Sequence, residues 1–289
     1  MEIDHCLILS AGKGTRMGKI GGFLPKPLWP IGDETLLSYQ YKFAKKVGVK
    51  NIHINISHQS DLIEAYIKNN NFDITLHYEE ELLDIGGTLQ NLVNHGVCGS
   101  CLVINSDQLF LSCEDVVSRL YKKFDSGAVA TLGSIKVNSN ESYNRLDLNG
   151  NKLVEIVKYG EHAEKQNETY AGIGIVNLDL VHKDMDLSER NFFKLIFNNS
   201  ENSYINVFSL GQDIFYDLGT KEKYVDFLFS KQKTSLFPNL RLNKYLQNGF
   251  YNFGEDAWGD APIGSVIISG KYSKVEGRCL YFNGVIDLL

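Results

Sequence analysis

Apolar runs alternate with amphipathic stretches through the first half of this chain, and that alternation leaves few folds open. The runs Cys6–Leu9, Ile52–Ile56, Ile74–Tyr78, Leu102–Ile104 and Val129–Ile135 read as strands. Between them, Leu37–Val47, Asp61–Lys68, Thr88–Asn94 and Asp115–Phe124 repeat apolar residues at helical spacing. Strand, helix, strand in series implies crossover connections, which build a parallel sheet with helices on its faces. The expected fold is α/β, a Rossmann-like mixed, mostly parallel sheet flanked by helices. Ligands on such sheets gather beyond the carboxyl ends of the strands.

The pattern changes after residue 140. Arg145–Leu148 and Lys152–Val157 flank Asn149-Gly150, a two-residue hairpin signal. A strand at Ile173–Val176, a helix at Phe192–Phe197, a strand at Val207–Leu210 and a helix at Lys221–Phe229 complete a first unit of residues 1–232. Residues 233–289 are rich in Asn, Gly and aromatics, and their short glycine-punctuated apolar strands suggest a β-rich extension, a short β-helix-like cap. Its aromatics Trp258, Tyr272 and Tyr281 are expected at the surface. They serve either an oligomer contact or a cap packed on the same subunit.

Composition excludes some functions. With 35 acidic against 29 basic residues, net charge is -6, and no basic stripe serves sequence-independent nucleic-acid binding. No run approaches the ~20 apolar residues of a membrane span, and no signal-peptide pattern is visible, so the cytoplasm is the expected compartment. The cysteines are too scattered for a disulfide framework. Cys98 and Cys101 spell C-x-x-C, but Cys101 also reads as the first residue of a buried strand.

Chemistry concentrates where the first strand ends. Leu9-Ser10-Ala11-Gly12-Lys13-Gly14-Thr15-Arg16-Met17 runs from a strand into a glycine turn, and Pro25-Lys26-Pro27-Leu28 follows. Glycines let backbone amides approach an anion, and Arg16 and Lys26 supply the charge that clustered phosphate oxygens require. Asp107 and Asp217 each lie just past an apolar strand. Either alone reads as a cap or turn residue; together they suit one hard cation with positions left for phosphate oxygens.

These blocks resemble the signature of sugar-1-phosphate nucleotidylyltransferases (nucleotide-sugar pyrophosphorylases). The resemblance continues through Asp84-Ile85-Gly86-Gly87-Thr88, Asn105-Ser106-Asp107, Lys158, Gly172-Ile173-Gly174 and Asp217-Leu218-Gly219-Thr220. It is nearest to small bacterial members of the N-acetylmuramate-1-phosphate uridylyltransferase and mannose-1-phosphate guanylyltransferase type. It implies the nucleotide-diphospho-sugar transferase fold, with a nucleoside triphosphate and a sugar 1-phosphate as substrates, pyrophosphate as leaving group and Mg²⁺ as cofactor. Ala11, Gly12, Gly14, Thr15, Arg16, Gly86 and Gly87 would then bind the nucleotide. Arg16, Lys26 and Asp107 would carry the reaction, and Asp107 and Asp217 the metal. Asn105, Glu155, Lys158 and Gly172 would face the acceptor.

Departures from the family pattern fall in particular places. Ser106 stands where Gly usually precedes the first aspartate, Ile85 replaces a threonine, and Val157-Lys158-Tyr159 keeps only the lysine of Glu-Lys-Pro. The altered acceptor region leaves open a cytidylyltransferase using a non-sugar phosphate such as phosphocholine or a phosphonate. A non-catalytic nucleotide-binding regulatory subunit is the alternative of another class.

Overall fold

In the computed structural model, the described residues are 2–125, 127–138, 141–160, 166–181, 204–211, 215–231, 235–248, 250–254, 261, 264–269, 278–283 and 285–289. Strand β1 (His5–Leu9) starts the chain, and a small ribbon of β2 (Pro30–Ile31) and β3 (Glu34–Thr35) precedes helix α1 (Leu36–Lys46). Thr35 caps α1 by accepting from the Ser38 amide at 3.1 Å. The alternation then runs β4 (Asn51–Ile56), α2 (Ser60–Asn69), β5 (Thr75–Tyr78), α3 (Asp84–Asn94), β6 (Ser100–Asn105), β7 (Gln108–Phe110) and α4 (Cys113–Lys123). Next come β8 (Ala130–Asn138), the hairpin β9 (Arg145–Asn149) and β10 (Lys152–Val157), and β11 (Gln166–Asn177). Strands β12 (Ile205–Ser209) and β13 (Phe215–Asp217) and helix α5 (Lys221–Phe229) follow.

Nine strands form one sheet in the order β5-β4-β1-β6-β11-β8-β12-β10-β9. The first four are mutually parallel, whereas β11 runs antiparallel to both β6 and β8. Side chains alternate along the strands as a two-faced sheet requires. On β1, Cys6 and Ile8 enter the core cluster with α1, α2 and α4, while Leu7 enters the opposite one, with Leu89 and Leu92 of α3.

A second sheet is built by β14 (Leu246–Gln247), β15 (Phe250–Asn252), β16 (Val266–Ser269), β17 (Cys279–Phe282) and β18 (Val285–Leu288). Strands β15, β16 and β17 are parallel to one another, and β14 and β18 close the two edges antiparallel. Its Tyr251, Val266, Ile268 and Leu280 share one core with Met17, Trp29, Leu218 and Tyr224. This sheet therefore packs directly against the glycine-rich N-terminal segment and α5.

Three expectations change. Helix α3 begins at Asp84 rather than Thr88, because Thr88 Oγ1 reaches back to the Asp84 carbonyl at 2.9 Å and Gly86 and Gly87 are buried inside the first turn. Tertiary burial overrides the weak helix propensity of glycine there. Strand β11 is far longer than Ile173–Val176, with an irregularity between Tyr170 and Gly174. Tyr281 is buried, not exposed, because it lies in the interior of the second sheet. The helix expected at 192–197 and the aromatics Trp258 and Tyr272 lie outside the described residues.

Candidate active site

Parallel pairing aligns three strand ends. Leu9 of β1 is in register with Asn55 of β4 on one side and Asn105 of β6 on the other. Beyond these ends opens a cleft of about 550 Å³, lined by the whole Leu9–Met17 turn, Lys26, Asn55, Glu79, Asp84, Ile85, Asn105, Ser106, Asp107 and Gly219 among others. Its place at the carboxyl edge is where a parallel sheet leaves backbone groups free for a ligand.

The glycine turn is shaped by two close approaches. Gly14 has φ +63°, a left-handed conformation that glycine adopts without strain, and its carbonyl accepts from the Met17 amide at 2.8 Å. A Cβ built on Gly21 would collide with the Gly14 carbonyl and lie 2.9 Å from the Met17 Cβ, so the loop folds tightly onto itself. Gly12 faces open space, leaving room for a ligand against its backbone. Arg16 is exposed at the cleft, and Ala11 is buried beneath it.

Lys26 is buried, and its ammonium is paired with the Asp107 carboxylate. Chain topology brings the second aspartate alongside. Strand β13 pairs antiparallel with β7, placing Asp217 opposite Gln108, and the Leu218 amide donates to the Asp107 carbonyl at 2.8 Å. A Cβ on Gly219 would sit 2.6 Å from Asp217 Oδ1 and 3.4 Å from Asp107 Oδ2, so both carboxylates reach one point.

Asp217 is held from several directions. Its Oδ1 accepts from the Gly219 amide at 2.7 Å, and its Oδ2 is 2.7 Å from Lys223 Nζ and accepts from the Tyr143 hydroxyl. Burial pushes this carboxyl's pKa up, but Lys223 and Tyr143 outweigh it and hold the group below the ordinary aspartate value. Thr220 accepts from the Lys223 amide at 3.3 Å and caps α5. Asp217-Leu218-Gly219-Thr220 is thus an aspartate turn followed at once by a helix cap.

A buried polar network floors the other end. The Ser10 amide donates to Asn55 Oδ1 at 2.7 Å, and Asn55 Nδ2 donates to Glu79 Oε1 at 3.0 Å. Glu79 also accepts from Thr88 Oγ1 at 2.5 Å and from the Leu83 amide at 3.1 Å. The donors aimed at Glu79 come from β4, from α3 and from the residue just before α3, so the network ties these segments together here.

The sequence-derived nucleotide and metal residues gather unevenly. Ala11, Gly12, Gly14, Thr15, Arg16, Lys26, Asn105 and Asp107 line the cleft, and Asp217 stands beside it through Gly219. Gly86 and Gly87 do not line it. They are buried in α3, and Asp84 and Ile85 before them face the cleft instead. Sequence reading passes over Asn55, Glu79, Tyr143 and Lys223. Glu79 heads the run Glu79-Glu80-Glu81, which reads as a solvated face, and nothing local marks Tyr143.

The acceptor candidates other than Asn105 lie apart from this cleft. Glu155 and Lys158 are exposed on the hairpin and do not line the cleft. Gly172 is covered by the Gln108 carboxamide, with which any Cβ would collide, and it has φ +70° within the β11 irregularity. Glycine is needed at 172 for a bulge and a side-chain contact inside the protein. Cys101 is buried in β6, where burial pushes its thiol up to about 12, whereas Cys98 is exposed, so the C-x-x-C is not a redox pair.

Comparison with known proteins agrees with this architecture. Residues 6–137 match the model of the MobA-like NTP transferase domain. The chain is 26% identical over 229 residues to the D-glycero-alpha-D-manno-heptose 1-phosphate guanylyltransferase of Campylobacter jejuni, covering 78% of this chain and 99% of that protein. With the enzyme of the same name from Aneurinibacillus thermoaerophilus it shares 24% identity over 223 residues, covering 76% and 95%. The crystal structure of HddC from Yersinia pseudotuberculosis complexed with GMP-PN superposes with a TM-score of 0.61 at 23% identity, covering 77% of this chain and 96% of that one. These matches make the chain similar to sugar-phosphate nucleotidyltransferases, and the strand-end cleft, the glycine turn and the paired aspartates agree with that similarity.

Proposed function

We propose that the protein transfers a nucleotidyl group from a nucleoside triphosphate to a sugar 1-phosphate, releasing pyrophosphate and forming a nucleotide sugar. The observation that carries this reading is the convergence of Arg16, Lys26, Asp107 and the glycine turn on one strand-end cleft. Both substrates are polyanions, so the first task is to neutralise charge and align the acceptor oxygen, the α-phosphorus and the leaving pyrophosphate. Exposed Arg16 suits the outer phosphates, with the turn's backbone beneath them. Buried Lys26, beside Asp107, suits the reacting phosphorus. The hydrogen-bonded Asn55–Glu79 floor suits the base. The similarity to two guanylyltransferases supports guanine there.

Mg²⁺ fits the donor set. Two hard carboxylates, Asp107 and Asp217, converge from different strands, and among the described residues no third His, Cys, Asp or Glu completes an all-protein cage. Mg²⁺ is held in this manner, by one or two carboxylates with phosphate oxygens and water supplying the rest. When bound, it would neutralise developing charge on the phosphates. Lys26 and Lys223 compensate the two carboxylates within the protein itself. We assign this chemistry to residues 1–232, read residues 233–289 as a β-rich cap, and place the reaction in the cytoplasm.

A non-sugar phosphate acceptor is the second reading, favoured by the exposed Glu155 and Lys158 and by Gln108 over Gly172. A matrix of ribonucleoside triphosphates and dTTP against sugar 1-phosphates and phosphocholine, read by pyrophosphate release with Mg²⁺, tests both. Turnover with GTP and a sugar 1-phosphate is expected. Turnover with phosphocholine alone replaces the sugar reading, and turnover with no pair removes both.

A further inference from the structure

We propose that Asp287, on the last strand of the second sheet, is a positioning residue for the triphosphate loop. The inference rests on the nucleotidyl-transfer reading only for the identity of the ligand that the loop holds. Asp287 is buried, 268 residues from its partner in the loop. Its Oδ2 accepts from the Lys19 backbone amide at 2.6 Å, two residues after the Thr15–Met17 turn. Its Oδ1 pairs with Lys221 Nζ at 3.0 Å, and the same ammonium donates to the Leu288 carbonyl at 2.8 Å. Lys221 is the first residue of α5, directly after Asp217–Thr220. One carboxylate therefore ties together the segment carrying Arg16 and the segment carrying Asp217.

Two further observations show a fitted contact. Gly18 has φ +69°, and a Cβ built there would collide with the Asp287 carboxylate, so the loop backbone lies against it. Met17 and Ile20, on either side, are fully buried in the core that also holds Val266, Ile268 and Leu280 of the second sheet. Apolar packing sets the depth of the loop, and the carboxylate fixes one amide and hence its orientation. A charge-assisted bond to a backbone amide is short and directional, suited to holding neighbouring amides in place for an anion. The second sheet thereby acts on the nucleotide end of the cleft from outside it.

Hydrogen exchange of the full-length protein, with and without Asp287→Ala, tests the contact before any turnover is measured. Faster exchange is expected at the Lys19 amide and across residues 13–22, with β4 unchanged. With GTP and Mg²⁺, KM for the triphosphate is expected to rise about tenfold, with kcat and the acceptor KM within about twofold. Asp287→Asn keeps an acceptor for Lys19 and loses the ion pair, so it should fall between. Unchanged exchange at residues 13–22 overturns the proposal, as does an equal rise throughout the chain, which marks plain loss of stability. Loosened exchange with an unaltered triphosphate KM also overturns it. Should the wild-type chain turn over no substrate pair, the functional reading fails, while the exchange result still decides the clasp.

Discussion

The parallel and antiparallel parts of the main sheet differ in how they are built. In the parallel part, strand ends align Leu9, Asn55 and Asn105 under the cleft, and hydrogen bonds link the Ser10 amide, Asn55 and Glu79. In the antiparallel part, the β9–β10 hairpin carries Glu155 and Lys158 outward, and Gln108 covers Gly172 on β11. Parallel strand ends create a ligand site as a by-product of topology, so that half needs little from particular side chains. An antiparallel edge creates none, and a ligand there would depend on individual side chains. Departures from the family pattern occur in both parts: Ser106 and Ile85 line the cleft, and Val157-Lys158-Tyr159 lies on the hairpin.

The largest test of this contrast is at the junction. Asp107→Asn should lower kcat about a thousandfold while retaining the fold, measured by pyrophosphate release alongside circular dichroism. Asp107→Ala should also destabilise, since it leaves the Lys26 ammonium buried without its carboxylate. Near wild-type turnover by Asp107→Asn would remove the carboxylate from the reaction and make the junction structural.

Gly172→Ala is the next largest and concerns stability. The left-handed φ and the collision with Gln108 together should cost about 2–4 kcal/mol in urea unfolding. Adding Gln108→Ala should return the part due to collision and leave the part due to φ. Wild-type stability in the Gly172→Ala variant would reopen the space above residue 172 to a substrate.

Acid should act on the parallel part of the sheet first. Under α3, His5 Nδ1 lies 3.0 Å from His53 Nε2, and His53 Nδ1 lies 3.0 Å from His77 Nε2. Burial, reinforced by His77 and His5, holds His53 down at about 4, and burial also lowers His5 and His77. A histidine whose folded pKa lies below its unfolded value takes up protons on unfolding. Stability is therefore complete above about pH 6.5 and is lost as pH falls towards 4, by roughly 2–3 kcal/mol for His53. Unfolding curves at pH 7.5 and 4.5 measure it, and His53→Gln should flatten the difference. Identical curves at the two pH values in the wild type would show that the ladder is not buried as described.

The smallest effect belongs to the hairpin. Lys158→Ala should change acceptor KM less than about twofold, because the side chain stands outside the cleft. A tenfold rise would show that the hairpin closes over the acceptor, narrowing the contrast between the two halves.

Legibility follows the range of the physics. The α/β alternation, the glycine turn, Lys26 and the aspartate turn before α5 are local: period, φ and capping act within a few residues and leave marks in sequence. The start of α3 is not legible in the same way. Gly86 and Gly87 read as a turn, while Thr88, Glu79 and Asn55 make it a helix through contacts between strands. Gly172 shows the converse, since a motif glycine has an internal steric reason here, its φ of +70° and the Gln108 contact.

The sequence by itself thus determined the sheet class, the glycine turn after β1 and which aspartates follow strands, since strand period, turn conformation and charge belong to short segments. Tertiary structure alone decided that Asp107 and Asp217 meet at Gly219, that Glu79 and not Glu80 faces inward, and that Asp287 holds Lys19 from 268 residues away. Those outcomes depend on strand order and on how two sheets pack. Residue identity fixes neither until the chain has closed on itself.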